Sequence, residues 1–373
     1  MLGKNNFYNL KNILKEKATY NVIFGGRSNG KTYAVLSKIL TDFWESSGKN
    51  QGAIIRRWRE DFMNKGGATL FNNHISNGFI STLTNDTYNT VVYYRRSWYL
   101  AKKEDEDTEK TVRMDRPFAY SFALTEMEHD KSASFPDVTN ILFDEFMSRN
   151  GYLPDEFVQF MNVLSTIIRY RDNATIFMVG NTVNKYCPYF GEMGLNHIEQ
   201  MKPGQIDVYK YGQKDLKVAV EYAESLKHNK ANSKYFAFDN SRLDMITNGA
   251  WEIGMYPHKP IEYAPKDIQF IYFIKFNKDL LQCEIVMVDD YNFTYIHRKT
   301  GDIKHPDDLI FSTESTSPLI FQTRKINQGM NKNRIVSKIC EYFENEKVFY
   351  QDNVVGEIVR NYIQWCKSNS ILS

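Results

Sequence analysis

Two kinds of hydrophobic pattern alternate along the first half of the chain. Short continuous apolar runs at Thr19–Phe24, Gln51–Arg57, Val138–Phe143 and Ala174–Val179 read as buried strands. Between them, Tyr33–Trp44 places Ala34, Leu36, Ile39, Leu40 and Phe43 at helical spacing. Leu153–Tyr170 is also helical, with Pro154 in its first turn. This rhythm predicts an α/β architecture with a mostly parallel sheet covered by helices. Thr87–Leu100 and, more weakly, Val112–Leu124 are rich in β-branched and aromatic residues and predict a β-excursion. The segment between them, Lys102–Lys110, carries five acids in nine residues and reads as a solvated loop.

The rhythm stops near Gly191–Gly194, and Lys202-Pro203-Gly204 marks a break. Lys214–His228 then reads as one amphipathic connecting helix. Phe270–Phe276, Gln282–Val288 and Asn292–His297 are short and turn-punctuated, which predicts an antiparallel meander, and Ile335–Trp365 reads as helical. A chain of 373 residues exceeds what one core ordinarily supports. The expected organisation is therefore a domain over 1–203, a helical linker over 204–240 and a smaller α+β domain over 241–373.

Charge and composition narrow the partners. With 47 basic against 45 acidic residues, the net charge of +2 excludes a histone-like positive blanket. Any nucleic-acid contact must come from local patches, and the clearest is Arg324, Lys325, Lys332, Arg334 and Lys338, in a stretch without acids. Cys187, Cys283, Cys340 and Cys366 form no C-x-x-C pair, which argues against a zinc site or a disulfide framework. No run approaches 18 apolar residues, so no membrane-spanning helix is read, and the first residues lack the apolar core of a signal peptide.

The strongest chemical signal is Gly25-Gly26-Arg27-Ser28-Asn29-Gly30-Lys31-Thr32, a full match to G-x-x-x-x-G-K-[ST] between a strand and a helix. The glycines let successive backbone N–H groups wrap a phosphate, Lys31 adds charge at the β/γ oxygens, and Thr32 offers a hydroxyl to Mg²⁺. The helix that follows presents its positive end to the anion. A second motif, Ile141-Leu142-Phe143-Asp144-Glu145, is an apolar strand ending in two acids. Asp144 suits the Mg²⁺ shell, and Glu145 suits polarising a water for attack on the γ-phosphorus. No N-K-x-D motif accompanies them, because Asn184-Lys185-Tyr186-Cys187 lacks the acid; this fits the GTP-binding class poorly.

Further candidates surround this pair. Asn181, just past a strand, is placed to meet the γ-phosphate or the attacking water, or equally to cap a turn. Arg169 or Arg171, at the end of a helix, and Lys131, in a Ser/Asp-rich loop, are candidates to reach a neighbouring subunit's nucleotide. Arg56-Arg57-Trp58-Arg59 ends a strand and could grip a base or a DNA backbone.

This constellation resembles the DNA-packaging (encapsidation) ATPases of phi29-like short-tailed phages, relatives of the large terminase subunit. The residues carrying the resemblance are Gly25–Thr32, Ile141–Phe146 and Arg169-Tyr170-Arg171-Asp172. The resemblance implies an additional-strand P-loop NTPase using ATP and Mg²⁺ in a homo-oligomeric, pentameric ring. It also implies translocation of double-stranded DNA into the prohead in the host cytoplasm, with docking on the portal and on a phage structural RNA. Lys31 and Thr32 would bind nucleotide and metal, Asp144 would support Mg²⁺, and Glu145 would be the base. Lys131 and one of Arg169 or Arg171 would act in trans. The second domain resembles an RNase H-type nuclease only in outline. Asp279, Glu284, Asp289 and Asp290 are present, but no Asp-x-Gly strand opens the domain, and Phe276-Asn277-Lys278 stands in its place. The expectation is a vestigial domain that binds nucleic acid without cutting it. The P-loop alone leaves other classes open: a nucleotide kinase, a nucleotide-gated binding module, or a helicase-like ATPase.

Overall fold

A computed structural model of the chain describes residues 7–63, 65–104, 111–129, 134–148, 152–153, 155–182, 187–212, 216–224, 255–276, 279–303, 308–312, 320–322 and 334–369. These fall into two compact units, one built on the described residues of 7–148 and 156–224, the other on 152–153, 155 and those from 255 onward.

The first unit is organised around a ten-stranded sheet. Its strands are β1 (Tyr20–Gly25), β2 (Gln51–Arg56), β3 (Thr90–Tyr94), β4 (Ser97–Lys103), β5 (Thr111–Arg113), β6 (Ala119–Ala123), β7 (Val138–Asp144), β8 (Thr175–Asn181), β9 (Ile206–Tyr211) and β10 (Leu216–Ala223). The order is β3-β4-β6-β2-β7-β8-β1-β10-β9, with β5 on the far side of β4. From β6 to β10 every neighbour is parallel, and β8 stands between β1 and β7. The antiparallel strands β3, β4 and β5 form the excursion expected from their β-branched and aromatic content.

Helix α1 (Lys31–Glu45) covers one face of the sheet. Its Val35, Leu36, Ile39, Leu40 and Phe43 recur at helical spacing and are all buried, against Ile23, Ile54, Leu142 and Phe177. Each such side chain contributes about 1.5–3 kcal/mol on burial. Helix α2 (Glu156–Ile168) buries Phe160, Val163, Leu164 and Ile167, with the Phe160 ring stacked 4.8 Å from that of Phe143. The short helix α3 (Pro188–Glu192) adds Tyr189, edge-on to the same Phe143 ring.

The connecting helix expected over Lys214–His228 is not formed within its described part: residues 216–223 are strand β10, paired parallel to β1 and antiparallel to β9. Val218–Ala223 is buried throughout. A strand covered on both faces reads as a continuous apolar run, and such a run fits helical spacing as easily as strand spacing. The first unit accordingly reaches past 203, and within the expected linker over 204–240 the described residues form strands at Ile206–Tyr211 and Leu216–Ala223; residues 213–215 and 225–240 lie outside the described residues.

The second unit is a six-stranded sheet of β11 (Ile268–Phe276), β12 (Asp279–Val288), β13 (Tyr291–Arg298), β14 (Ile310–Ser312), β15 (Ile320–Gln322) and β16 (Val348–Tyr350), in the order β15-β14-β11-β12-β13-β16. The antiparallel meander β11–β13 matches expectation. The tail is not helical throughout: helices α4 (Arg334–Glu344) and α5 (Asn353–Asn369) are separated by β16, which adds parallel to β13. Tyr362 of α5 is buried and lies edge-on to Phe276 of β11, 5.8 Å between ring centres.

Candidate active site

The C-terminal ends of β1, β7 and β8 bring the predicted residues together. After β1 the chain turns sharply through the glycine loop into α1. A Cβ on Gly25 would stand 2.6 Å from the carbonyl oxygen of Ala223 on β10, so the residue type is fixed by close approach of the backbone. Gly30 takes φ +92°, a left-handed conformation that launches α1. Arg27 and Ser28 are exposed at the loop's apex, whereas Asn29 is buried. The loop is held from behind by three hydrogen bonds. Tyr8 N–H donates to the Asn29 carbonyl at 2.9 Å, Thr182 N–H donates to the Gly25 carbonyl at 3.0 Å, and Asn29 Nδ2 donates to the Glu224 carbonyl at 3.4 Å. Tyr8 is itself anchored, its hydroxyl donating to Glu221 on β10 at 2.7 Å.

Lys31 points back into the loop. Its ammonium donates to the Gly26 carbonyl at 2.6 Å, to Asn29 Oδ1 at 3.0 Å, to the Gly25 carbonyl at 3.3 Å and to Asn181 Oδ1 at 3.4 Å. Burial pushes its pKa down to about 7, with the charge of Asp144 opposing the fall. An incoming phosphate oxygen would replace these neutral acceptors with an anionic one.

The acidic pair faces this loop. The Thr32 hydroxyl donates to Asp144 Oδ1 at 2.8 Å, so a hydroxyl and a carboxylate sit side by side as hard oxygen donors. This set fits Mg²⁺, which draws its remaining ligands from phosphate and water. Arg56 Nη2 donates to the other oxygen, Asp144 Oδ2, at 2.6 Å. Burial alone would lower the Arg56 pKa, but Asp144, with Glu145 and Asp61, raises it above the usual arginine value. The base-gripping or DNA-gripping role considered for Arg56 and Arg57 therefore gives way to internal pairing. Trp58 and Arg59 remain exposed, although Arg59 also meets Glu126 at 3.0 Å.

Glu145 follows in a left-handed conformation at φ +58°. Its side chain reaches solvent, yet the surrounding protein withdraws enough water to push its carboxyl pKa up, and the charge of Asp144 adds to this against Arg56 and Arg57. A raised pKa is what a proton acceptor working near neutrality requires. Asn181 pairs in register with Gly25 across β8 and β1, which puts its amide beside Lys31.

The trans-acting candidates separate. Arg171 is committed within the chain: Nη1 donates to the Val138 carbonyl at 2.6 Å, and Nη2 donates to the Phe135 and Ile167 carbonyls, both at 3.0 Å. Arg169 ends α2 exposed, at φ +52°. Lys131 lies outside the described residues, as do Arg324, Lys325 and Lys332 of the basic patch.

In the second unit, Asp279 accepts from Arg298 at 2.5 Å, and Glu284 accepts from Tyr263, Gln282 and His297 at 2.5, 2.6 and 3.3 Å. Asp289 and Asp290 form the exposed turn between β12 and β13. Among the described residues, no group of three or more His, Cys, Asp or Glu side chains is placed to hold a metal ion.

The partner of Asp144 was hidden from the sequence reading. The parallel register pairs Ile55 with Phe143, so Arg56 comes to lie beside Asp144. A basic residue at the end of a strand would signal this only once the two strands were known to be neighbours.

Comparison with known proteins places the whole chain. Residues 2–365 match the family model for the podovirus DNA encapsidation protein (Gp16). The DNA packaging protein of Bacillus phage phi29 is 23% identical over 192 residues, 51% of this chain and 50% of the relative. The chain thus spans about half the length of the curated relatives it matches. The fold is similar to a chain of the bacteriophage phi-29 viral genome packaging motor assembly, with a TM-score of 0.56, 18% identity and coverage of 97% of this chain and 99% of that one. It is likewise similar to the phi-28 gp11 DNA packaging motor, with a TM-score of 0.55, 20% identity and coverage of 98% and 99%. A family match over nearly the whole length, around an intact phosphate loop and acidic pair, means that the chain belongs to the podovirus DNA encapsidation protein family.

Proposed function

We propose that the chain is the ATP-hydrolysing subunit of a viral genome-packaging motor, which moves double-stranded DNA through the portal into the prohead. The single observation that carries this reading is the Thr32–Asp144 hydrogen bond, which sets a metal-binding pair against the Lys31 loop in a member of the encapsidation family. The insertion of β8 between β1 and β7 supports an additional-strand P-loop assignment.

The glycine loop and Lys31 bind the β- and γ-phosphates of ATP. Thr32 and Asp144 would hold Mg²⁺, which when bound would supply positive charge to offset that of the phosphate oxygens. The Glu145 carboxylate takes a proton from the attacking water as its oxygen bonds to the γ-phosphorus, and the bond to the β-phosphate oxygen breaks. Asn181 orients that water or the γ-phosphate. Arg169 of a neighbouring copy, with Lys131, stabilises the charge that develops in the transition state. This division of labour needs a homo-oligomeric ring, pentameric in our reading. The second unit binds nucleic acid, whether the translocating DNA or a structural RNA; the engagement of Asp279 and Glu284 in internal hydrogen bonds supports a role other than metal ligation.

The test is ATP turnover by the purified chain, with and without DNA and proheads. Stimulation by both, lost in Lys31→Ala and Glu145→Gln, is expected. Turnover indifferent to DNA and proheads but dependent on a small phosphoryl acceptor would make the chain a kinase.

A further inference from the structure

Behind the acidic pair lies a buried charge cluster that the proposed reaction does not use. Arg57 follows β2 and is 6% exposed. Its Nε and Nη2 donate to the two carboxylate oxygens of Glu156 at 2.7 and 2.8 Å, a bidentate pair. Glu156 opens α2 and is 3% exposed. Its Oε1 also accepts from the hydroxyl of Tyr189 on α3 at 2.8 Å. Removing two charges from water is costly, and such pairs are often replaceable by apolar residues without loss of stability. Their presence here therefore needs a reason other than stability.

The remaining donors of Arg57 supply one. Nη1 donates to the carbonyl of Glu145 at 3.2 Å, and Nη2 donates to the carbonyl of Phe146 at 2.9 Å. The guanidinium thus grips the carbonyls of the two residues that follow Asp144, the first of which, Glu145, has a left-handed backbone. For a non-glycine residue that conformation costs on the order of 1 kcal/mol and persists only where the surroundings hold it. Phe146 N–H donates to the Val179 carbonyl at 3.2 Å and fixes the segment on its other side.

We infer that Arg57, braced by Glu156 and Tyr189, is a positioning residue that holds the left-handed Glu145 backbone and so aims its carboxylate at the attacking water. This inference rests on the proposed role of Glu145 as the base. Arg57 touches no reacting atom. It acts through Glu145, and it links the first turn of α2 and the helix α3 to the reactive end of β7.

The experiment is a double-mutant cycle in the full-length chain, reading kcat and nucleotide affinity separately. A misplacement of about 1 Å in a catalytic group costs on the order of 10²-fold in rate. Arg57→Lys keeps the charge but loses the fork, and is expected to lower kcat by about that factor while leaving ATP affinity within about twofold. In a Glu145→Gln background the same substitution should change turnover by less than about twofold, because the group it positions is already gone. Glu156→Gln, which preserves volume, should reproduce the kcat loss, and it decides the matter if Arg57→Lys fails to fold. An equal loss of turnover in both backgrounds, a loss of nucleotide affinity, or wild-type kcat in both Arg57→Lys and Glu156→Gln would overturn the inference. If instead Glu145→Gln alone left turnover unchanged, the assignment of the base would fail, a result distinct from any of these.

Discussion

The two arginines that close α2 give a sharp test of the proposed function, which gives Arg169 a role at a neighbouring nucleotide, whereas Arg171 is held by backbone carbonyls of its own chain. Arg171 donates to three backbone carbonyls, those of Val138, Phe135 and Ile167. Hydrogen bonds from a charged donor contribute about 1.5–3 kcal/mol each when fully buried. Arg171 is only half-buried, so about 3 kcal/mol in total is the reasonable figure. For a unit of this size, ~1 kcal/mol corresponds to roughly 2–4 °C in Tm. Arg171→Ala is therefore expected to lower Tm by about 6–12 °C, with nucleotide affinity at low temperature unchanged. Arg169→Ala, at an exposed position, should move Tm by no more than about 2 °C. It should nonetheless reduce prohead-stimulated ATP turnover by about 10³-fold, the scale of a lost trans-acting arginine. Differential scanning fluorimetry and turnover on the same preparations read both quantities. Mixing Arg169→Ala subunits with Glu145→Gln subunits should restore part of the turnover, since some interfaces would then pair an intact base with an intact arginine. The reverse pattern, with Arg169→Ala lowering Tm and Arg171→Ala stable but inactive, would refute the assignment.

Further predictions concern the loop and the base. Glu145 must be ionised to accept a proton and its pKa is raised, so the acid limb of kcat should lie above the usual carboxylate value of ~4.3, with turnover falling as pH drops through that limb. A limb at or below that value contradicts the placement. With the Lys31 pKa at about 7, roughly a tenth of the molecules carry the ammonium charge at pH 8. Phosphate restores that charge, so ATP binding should take up about 0.9 proton at pH 8 and about half a proton at pH 7. Calorimetry in buffers of different ionisation enthalpy measures this, and a buffer-independent enthalpy at pH 8 would exclude it. Gly25→Ala should cost about 1–3 kcal/mol by forcing the loop away from Ala223, and it should weaken nucleotide binding together with Tm; wild-type values for both would show that the loop tolerates the shift.

What could be read from the sequence depended on whether the signal was local. The glycine loop, the strand entering it and the helix leaving it form one contiguous phrase, and Gly25–Thr32 lies where that phrase placed it. The acids at 144 and 145 were equally legible, because an apolar strand ending in polar residues needs no knowledge of its neighbours. Arg56 was misjudged because its partner is 88 residues away and meets it only through the β2–β7 register. Arg57, read as part of the same grip, was misjudged for the same reason, with Glu156 arriving from a later helix. Strand β10 was read as a helix because a strand buried on both faces loses the alternation that identifies it. Strand β16 has only three residues, too few to set a period, and the flanking helical patterns absorbed it.

Strand β1 also has a mechanical consequence. All six residues of β1, Tyr20 to Gly25, are in register with β8 on one side and β10 on the other, and both neighbours run parallel to it. A force drawn along β1 would load both ladders in shear, so that many bonds share the tension instead of peeling apart singly. Strands fixed in this way open only with the whole unit. The anchorage of the phosphate loop is thus expected to resist tension, and in the proposed motor a stroke would come from the joints around it.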